Sequence, residues 1–501
     1  MEKIAIIEID SRSLKLTLAK NLSNGQYLVY DGIFDSVKLG EDLGKDNFFK
    51  ANRVNETIAI LKGYKKLCDA EGIEKVECVV LEDCKLAKNL KSFVDEISTH
   101  VGIKVRVLDT DEEQKYNYTG VLNTLEVPKG VIVKVGFEST SIIKYIRRSI
   151  TAQKIIPYGI CTLAEKFAGD KNLVQKSYEF FSEQIKGCQE FSELDPELSL
   201  VGIGEMFTSF AKISRMAKKY SYDKTHGYQM NKKDVDGVYD FFKTLDLDSK
   251  QKIRGISSDR ADFVAAGVGI IKAVCDFSNS ELLTISERDL TDGILNTVCE
   301  TSSQDRPITD ILGHSLLVQK VSFPDSMKNS MNVYELAMIL YKQLRVLHKL
   351  PRTFVKVLRV ASFFYDSGSR ISFYGGSKNS FSVVLNADLF GLTHREQVLA
   401  AFVCASQDSN DFNLAEFVKY RDILTQEDLD AVKKLAVIVR IAKGLDRCGS
   451  GVIKDITCDI LGDSVILKAI MEDGDASFEI KDAMKAEADF KKAFKKNLEI
   501  L

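Results

Sequence analysis

The sequence predicts an α/β protein of two similar lobes followed by a mainly helical domain. Three observations carry that prediction. A chain of 501 residues, at roughly 150 residues per domain, makes about three domains. From Met1 to about Glu300 the pattern of strands and helices runs twice through one order, and beyond Thr301 long helical periodicity replaces it. The composition, 45% apolar and 28% charged, is that of an ordinary globular chain and excludes a disulfide scaffold, a disordered tail or a fibre.

Apolar alternation at Lys3 to Ile9, Leu14 to Ala19 and Tyr27 to Ile33 predicts three strands joined by short polar turns, an antiparallel meander. A helix follows over Asn55 to Glu71, a continuous apolar strand at Val76 to Leu81, a helix near Leu86 to His100, a strand at Lys104 to Leu108 and a helix from Asp111 to Leu125. Such alternation builds a buried, mostly parallel portion of sheet.

After Pro128 the order begins again, with strands at Val131 to Val135, Ile142 to Arg147 and Gln153 to Pro157. Helices near Leu163 to Phe167 and Asn172 to Cys188, a strand at Leu198 to Ile203, helices over Glu205 to Lys219 and Arg260 to Cys275, a strand at Leu282 to Ile285 and a last helix complete it. Each first strand ends in a polar turn, Asp10-Ser11-Arg12-Ser13 in one half and Gly136-Phe137-Glu138-Ser139-Thr140 in the other. Duplicated lobes of this order leave a cleft between them, and facing turns can hold phosphate with backbone N–H groups. The expected fold is therefore the actin-like (ribonuclease H-like, ASKHA) architecture.

The third domain carries helical patterns at Asn332 to Leu350, Thr353 to Tyr365, His394 to Ser406 and Glu427 to Arg447. A two-strand unit at Ile456 to Leu461 and Ser464 to Met471 and a Lys-rich amphipathic helix close the chain. The expected domains are 1–126, 127–304 and 305–501, with the last boundary near Pro307.

Lys and Arg number 69 against 72 Asp and Glu, a net charge of −3, so no global basic field draws the chain to DNA and any anion site is local. No apolar run reaches the ~20 residues of a membrane span, and the opening MEKIAIIEID turns acidic where a signal peptide would be cleaved. A cytoplasmic location is expected. The ten cysteines lack any CxxC pairing and read as free core thiols, and five dispersed histidines form no local zinc motif.

Ordered motifs now give a resemblance. They are Ile7-Glu8-Ile9-Asp10-Ser11-Arg12-Ser13, Asp111-Glu112-Glu113 followed by Tyr118-Thr119-Gly120-Val121, Gly136-Phe137-Glu138-Ser139-Thr140 and Leu200-Val201-Gly202-Ile203-Gly204. Tyr222-Asp223, His226-Gly227 and Arg260-Ala261-Asp262 follow, then Asn386-Ala387-Asp388-Leu389 with Gly391 and Arg395-Glu396-Gln397, and Leu445-Asp446-Arg447. In this order, across nearly the whole length, the chain resembles the Ppx/GppA family of exopolyphosphatases and guanosine pentaphosphate phosphohydrolases. The resemblance implies hydrolysis of terminal phosphoanhydrides in polyphosphate or guanosine pentaphosphate. It implies Glu113 as the general base, Glu8 as a ligand for Mg²⁺ or water, and phosphate contacts from Ser11, Ser13, Gly136, Ser139, Thr140, Gly202, Gly204 and Thr208. It also implies a homodimer.

Departures from the family pattern weaken those implications. Where the second turn reads D-x-G-G-G-S-T-E, this chain has Lys134 for the Asp and Ser141 for the last Glu, and two of three glycines are gone. A lysine there repels Mg²⁺ and removes a ligand, so metal binding is weakened. Phe137 and Glu138 carry side chains where bare backbone would approach phosphate. Asp10 replaces the first-turn glycine, Glu205 replaces a glycine after Gly204, and Thr291 stands for a frequent Arg. In the helical domain the family's H-D-x-G and H-K-H-S read Tyr365-Asp366-Ser367-Gly368 and Ser377-Lys378-Asn379-Ser380, leaving Asp366 alone of the metal ligands. No cofactor is expected there.

Each feature also has a plain structural reading. Glu113, beside Asp111 and Glu112, complements a helix dipole as well as it serves a reaction, and the serines and threonine of the turns are common turn formers. Lys134 is either a partner for Glu8 or Glu113 or a direct phosphate contact. Two function classes follow: an impaired phosphohydrolase, or a pseudo-enzyme that binds a nucleotide, a polyanion or a protein partner in the cleft.

Overall fold

The structure is a computed structural model that describes residues 1–23, 25–191, 197–245, 261–300, 307–324, 327–406, 414–472 and 474–501. The chain divides into two compact units, one of residues 1–220 with 224–309 and one of residues 310–501 with the short stretch Ser221–Asp223.

The first unit holds two sheets. In the first, β1 (Lys3–Ile9), β2 (Ser13–Ser23) and β3 (Gln26–Ser36) form the antiparallel meander, and β4 (Lys75–Val80) and β5 (Val105–Val107) extend it in parallel, in the order β3-β2-β1-β4-β5. The second repeats the scheme with β6 (Gly130–Val135), β7 (Thr140–Ile146) and β8 (Ser149–Ile156) antiparallel, and β9 (Ser199–Ile203) and β11 (Leu282–Ser286) in parallel beyond β6. A three-residue strand, β10 (Gln229–Asn231), adds an antiparallel edge to β11. It is too short for its alternation to be read from sequence. The Lys232–Thr244 helix after it is likewise absent from the sequence reading, although Asn231 and Asp234 form a capping box at its start.

β1 is apolar on both faces because both are covered. Ala5, Ile7 and Ile9 join one core with helix Ala51–Ala70 and helix Leu90–Val101, while Ile4 and Ile6 pack with Leu290, Ile294 and Leu295 of helix Leu290–Cys299. The second sheet does the same with the helix Thr110–Leu122, whose Tyr118, Val121 and Leu122 lie on Ile132, Ile143 and Val201. So the helix that follows the first sheet packs on the second sheet, and the helix that ends the second half packs on the first. The two helices meet through glycine. A Cβ on Gly120 would stand 2.1 Å from the Asp289 carbonyl oxygen, and one on Gly293 would stand 2.1 Å from that of Tyr116.

In the second unit, helices including Ser330–Gln343, Phe354–Phe364, His394–Ala405 and Gln426–Leu445 carry the core. The pattern expected to run from Asn332 to Leu350 breaks at Leu344, after which a separate turn of helix spans Arg345–His348. The closing helix is also corrected: helices Ser477–Met484 and Glu487–Phe494 are followed by a strand, β14 (Asn497–Ile500), which pairs in parallel with β13 (Ser464–Met471) beside β12 (Ile453–Leu461). Lys495, at φ 59°, ends the last helix and turns the chain into that strand. Gln397 ties its neighbours together, its amide donating to the carbonyls of Val384 and Ala387, each at 2.9 Å. Ser380 Oγ accepts from the Gly368 N–H at 2.9 Å. Tyr222 donates to the Leu385 carbonyl at 2.6 Å. Among the described residues these motif positions act as internal scaffold.

Candidate functional site

Ligands of open α/β sheets sit beyond the carboxyl ends of the strands, and there the first unit has a cavity of about 380 Å³. Four basic side chains line it, Arg12, Lys15, Lys38 and Lys134, and five acidic ones, Glu8, Asp10, Glu205, Glu287 and Asp289.

Lys134, the next-to-last residue of β6, has its ammonium 3.0 Å from Glu113 Oε1. The other oxygen of Glu113 accepts the Glu82 N–H at 2.8 Å. The helix start explains how Glu113 comes to be there. Asp109 accepts the Glu112 N–H and Glu112 reaches back to the Asp109 N–H, a capping box. The dipole-complementing duty falls to exposed neighbours, leaving Glu113 buried at 8% exposure. Burial works against the Lys134 ammonium, yet Glu113 and Asp10 outweigh it and hold the lysine protonated well above its ordinary range. Asp10 goes the other way: burial, aided by the Asp83 charge, raises its carboxyl to about 8.

The turn after β6 is filled from within. Asp83, just past β4, accepts the Glu138 N–H at 3.1 Å and the Ser139 hydroxyl at 2.7 Å. A Cβ on Gly136 would stand 3.1 Å from Asp83 Oδ2. Burial pushes the Asp83 carboxyl up, and burial together with Asp83 lifts Glu138 to about 7.

Glu8 is buried against helix Leu290–Cys299, accepting the Thr291 hydroxyl, with the Lys15 ammonium 3.7 Å away. Lys15 also donates to Thr291 Oγ1 at 2.5 Å and lies 3.8 Å from Asp289. Burial raises the Glu8 carboxyl, with Lys15 acting against the rise.

Of the sequence-derived candidates, Glu8, Ser13, Lys134, Gly136, Gly204 and Thr208 line the cavity. Glu113 reaches it only through Lys134, and Ser139 is turned to Asp83. Ser11 lies fully buried, its hydroxyl without a hydrogen-bond partner, and Thr140 donates to the Tyr158 carbonyl at 2.8 Å. Ser141 faces Lys134 across the β6–β7 ladder. Gly202 does not line the cavity; its missing side chain admits the Phe207 ring, 2.2 Å from where a Cβ would be. The Arg260-Ala261-Asp262 motif lies outside the described residues, apart from the backbone of the helix that opens at Ala261. Sequence reasoning missed Lys15, Asp83 and Asp289. The available signal was the pair of acids Glu82-Asp83 shortly beyond the buried end of β4.

The pattern of the Ppx/GppA phosphatase family matches residues 31–301, more than half of the chain. The chain belongs to the Ppx/GppA family. Among similar proteins is the bifunctional 3-dehydroquinate synthase/phosphatase of Fusobacterium nucleatum subsp. nucleatum, 24% identical over 303 residues, which are 57% of this chain and 45% of that protein. The chain thus spans less than half the length of that relative. The guanosine-5'-triphosphate,3'-diphosphate pyrophosphatase of Aliivibrio fischeri is 20% identical over 421 residues, 79% of this chain and 78% of that one. The crystal structure of the Aquifex aeolicus Ppx/GppA family member aligns with TM-score 0.52 and 26% identity, covering 59% of this chain and 97% of that one. The actin-like fold expected from the duplicated strand order is the Ppx/GppA fold seen here. No helix among the described residues is long and apolar enough to cross a membrane.

Ppx/GppA enzymes generally use a divalent metal. The residues of this cleft do not fit one. Among the described residues no cluster of three or more His, Cys, Asp or Glu side chains is arranged to hold a cation. Glu8, the expected ligand, is engaged by Thr291 and Lys15, and the Lys134 ammonium, bonded to Glu113 and attracted by Asp10, puts a cation where a metal would need carboxylates.

Proposed function

We propose that this Ppx/GppA protein is a slow phosphohydrolase of its cleft, acting weakly on terminal phosphoanhydrides of polyphosphate or guanosine pentaphosphate. The observation that carries the reading is the Glu113–Lys134 pair at 3.0 Å. Glu113 is held in place by backbone, through the Glu82 N–H, and Lys134 supplies fixed positive charge beside it. Phosphoryl transfer asks for a base or water-orienting group and for cations on the developing charge. Here the two are present but are paired with each other, so neither is free to act on a substrate. Slow turnover follows. A cytoplasmic location and a homodimer belong to the same proposal and rest on likeness to the family.

A second reading, binding without turnover, is favoured by Asp83. Its carboxylate takes the Glu138 N–H and the Ser139 hydroxyl, the donors that the second turn would offer to a phosphate. Phosphate release from long-chain polyphosphate and guanosine pentaphosphate, measured beside Glu113→Gln, separates the two. Slow release that falls at least about tenfold in the variant supports hydrolysis. Release no faster than the variant's, from folded protein, overturns it in favour of binding.

A further inference from the structure

The positive charge around the cavity is unevenly available. Lys134 is taken by Glu113, and Lys15 by Glu8, Asp289 and Thr291. Arg12 is held loosely: its ion pair with Glu165 is stretched to 3.9 Å, and among the described residues its buried Nε has no hydrogen-bond partner. Glu138, the carboxylate that also feels Arg12, is raised to about 7 by burial and so opposes Arg12 only partly at neutral pH. A planar guanidinium whose carboxylate partner stands 3.9 Å away is suited to one phosphoryl group.

Much of the remaining wall is apolar. Phe34, Phe137, Ile160, Met206, Phe263 and Val264 line it, and the Arg12 guanidinium lies 5.9 Å from the centre of the Phe263 ring. A group held by Arg12 therefore brings whatever is attached to it against Phe263. A polyphosphate chain offers no apolar surface to this wall and adds negative charge with every phosphate, against five lining carboxyl groups.

We infer that the cleft takes a phosphomonoester with a flat apolar body, an aryl or nucleoside monophosphate, its phosphoryl group on Arg12 and its ring beside Phe263. This rests on the reading of the cleft as a phosphate-ligand site and narrows it. It also gives a reason for weak action on the family substrates: the cleft is shaped for less charge and more ring.

The test is calorimetric titration of the full chain, in chelator-treated buffer, with naphthyl phosphate, guanosine monophosphate, inorganic phosphate and long-chain polyphosphate. The two ring-bearing ligands are expected to bind about tenfold or more tighter than inorganic phosphate or polyphosphate. Arg12→Lys keeps the charge but loses the fork and is expected to weaken all phosphate binding by about tenfold. Phe263→Leu should weaken only the ring-bearing ligands. Tighter binding of polyphosphate, no binding of either ring-bearing probe, or unchanged affinity in both variants would overturn the inference. Binding requires no turnover, so absent phosphate release with intact naphthyl phosphate binding sinks the hydrolase reading alone. Brisk release from guanosine pentaphosphate without naphthyl phosphate binding sinks this inference alone.

Discussion

Lys134 brings a permanent charge to the carboxyl end of β6, and a buried ammonium is tolerated only where carboxylates surround it. Glu113, Asp10 and Asp289 supply that surround. Two nearby acids are raised all the same: Asp10 to about 8, with Lys134 acting against the rise, and Glu138 to about 7, burial being the first cause of each. Both bind a proton more tightly folded than unfolded. Folding therefore takes up protons between the ordinary carboxylate range and those values, and stability falls as pH rises through them. Glu138→Gln removes one such group without removing its shape. Relative to the parent chain it is expected to gain about 1–3 kcal/mol on going from about pH 5 to about pH 8, measured by chemical denaturation at both; an unchanged difference would contradict the burial account. Lys134 was legible in the sequence because it breaks a carboxylate pattern, and Glu113 because it keeps one. Asp83 was not, because either of the two acids Glu82 and Asp83 after an apolar strand looks like any strand-ending residue until the turn that Asp83 caps is brought against it from 55 residues away.

At the scale of elements, the site depends on two helices that pack on each other's sheets. Thr110–Leu122 carries Glu113 to Lys134, and Leu290–Cys299 carries Thr291 to Glu8. Gly120 and Gly293 let the two approach to backbone contact. Gly293→Ala places a methyl 2.1 Å from the Tyr116 carbonyl oxygen, which neither backbone can yield without separating the helices. A loss of about 1–3 kcal/mol or more is expected, along with weaker phosphate release. Gly237→Ala, in helix Lys232–Thr244 with nothing within 4 Å, is the contrast: an expected gain of about 0.5–1 kcal/mol. Equal melting behaviour of the two variants would show that the glycine contact is not what sets the spacing. The long strands of both meanders were legible as apolar runs between polar turns, with β1 and β6 buried on both faces. The edge strand β10 and the final β14 were not, since runs of three and four residues carry no periodicity.

Across the whole chain, the duplicated strand order announced the actin-like first unit, and the ordered turns announced the Ppx/GppA family. What the turns could not announce is how their charges are spent. Lysine, aspartate and serine at the departed positions are compatible with an open anion site or a self-satisfied one, and only the pairings of Lys134 with Glu113 and of Asp83 with the second turn distinguish them. The central claim is that Lys134 stands in the place of a metal and restrains the base. The most direct test is the rate of phosphate release from guanosine pentaphosphate across a magnesium titration, for the parent chain and for Lys134→Asp with Ser141→Glu. The account predicts slow release that hardly responds to magnesium in the parent, and a magnesium-dependent rise of about tenfold or more in the double variant. Fast, magnesium-dependent release from the parent chain, undiminished or lost rather than raised in the double variant, would contradict it.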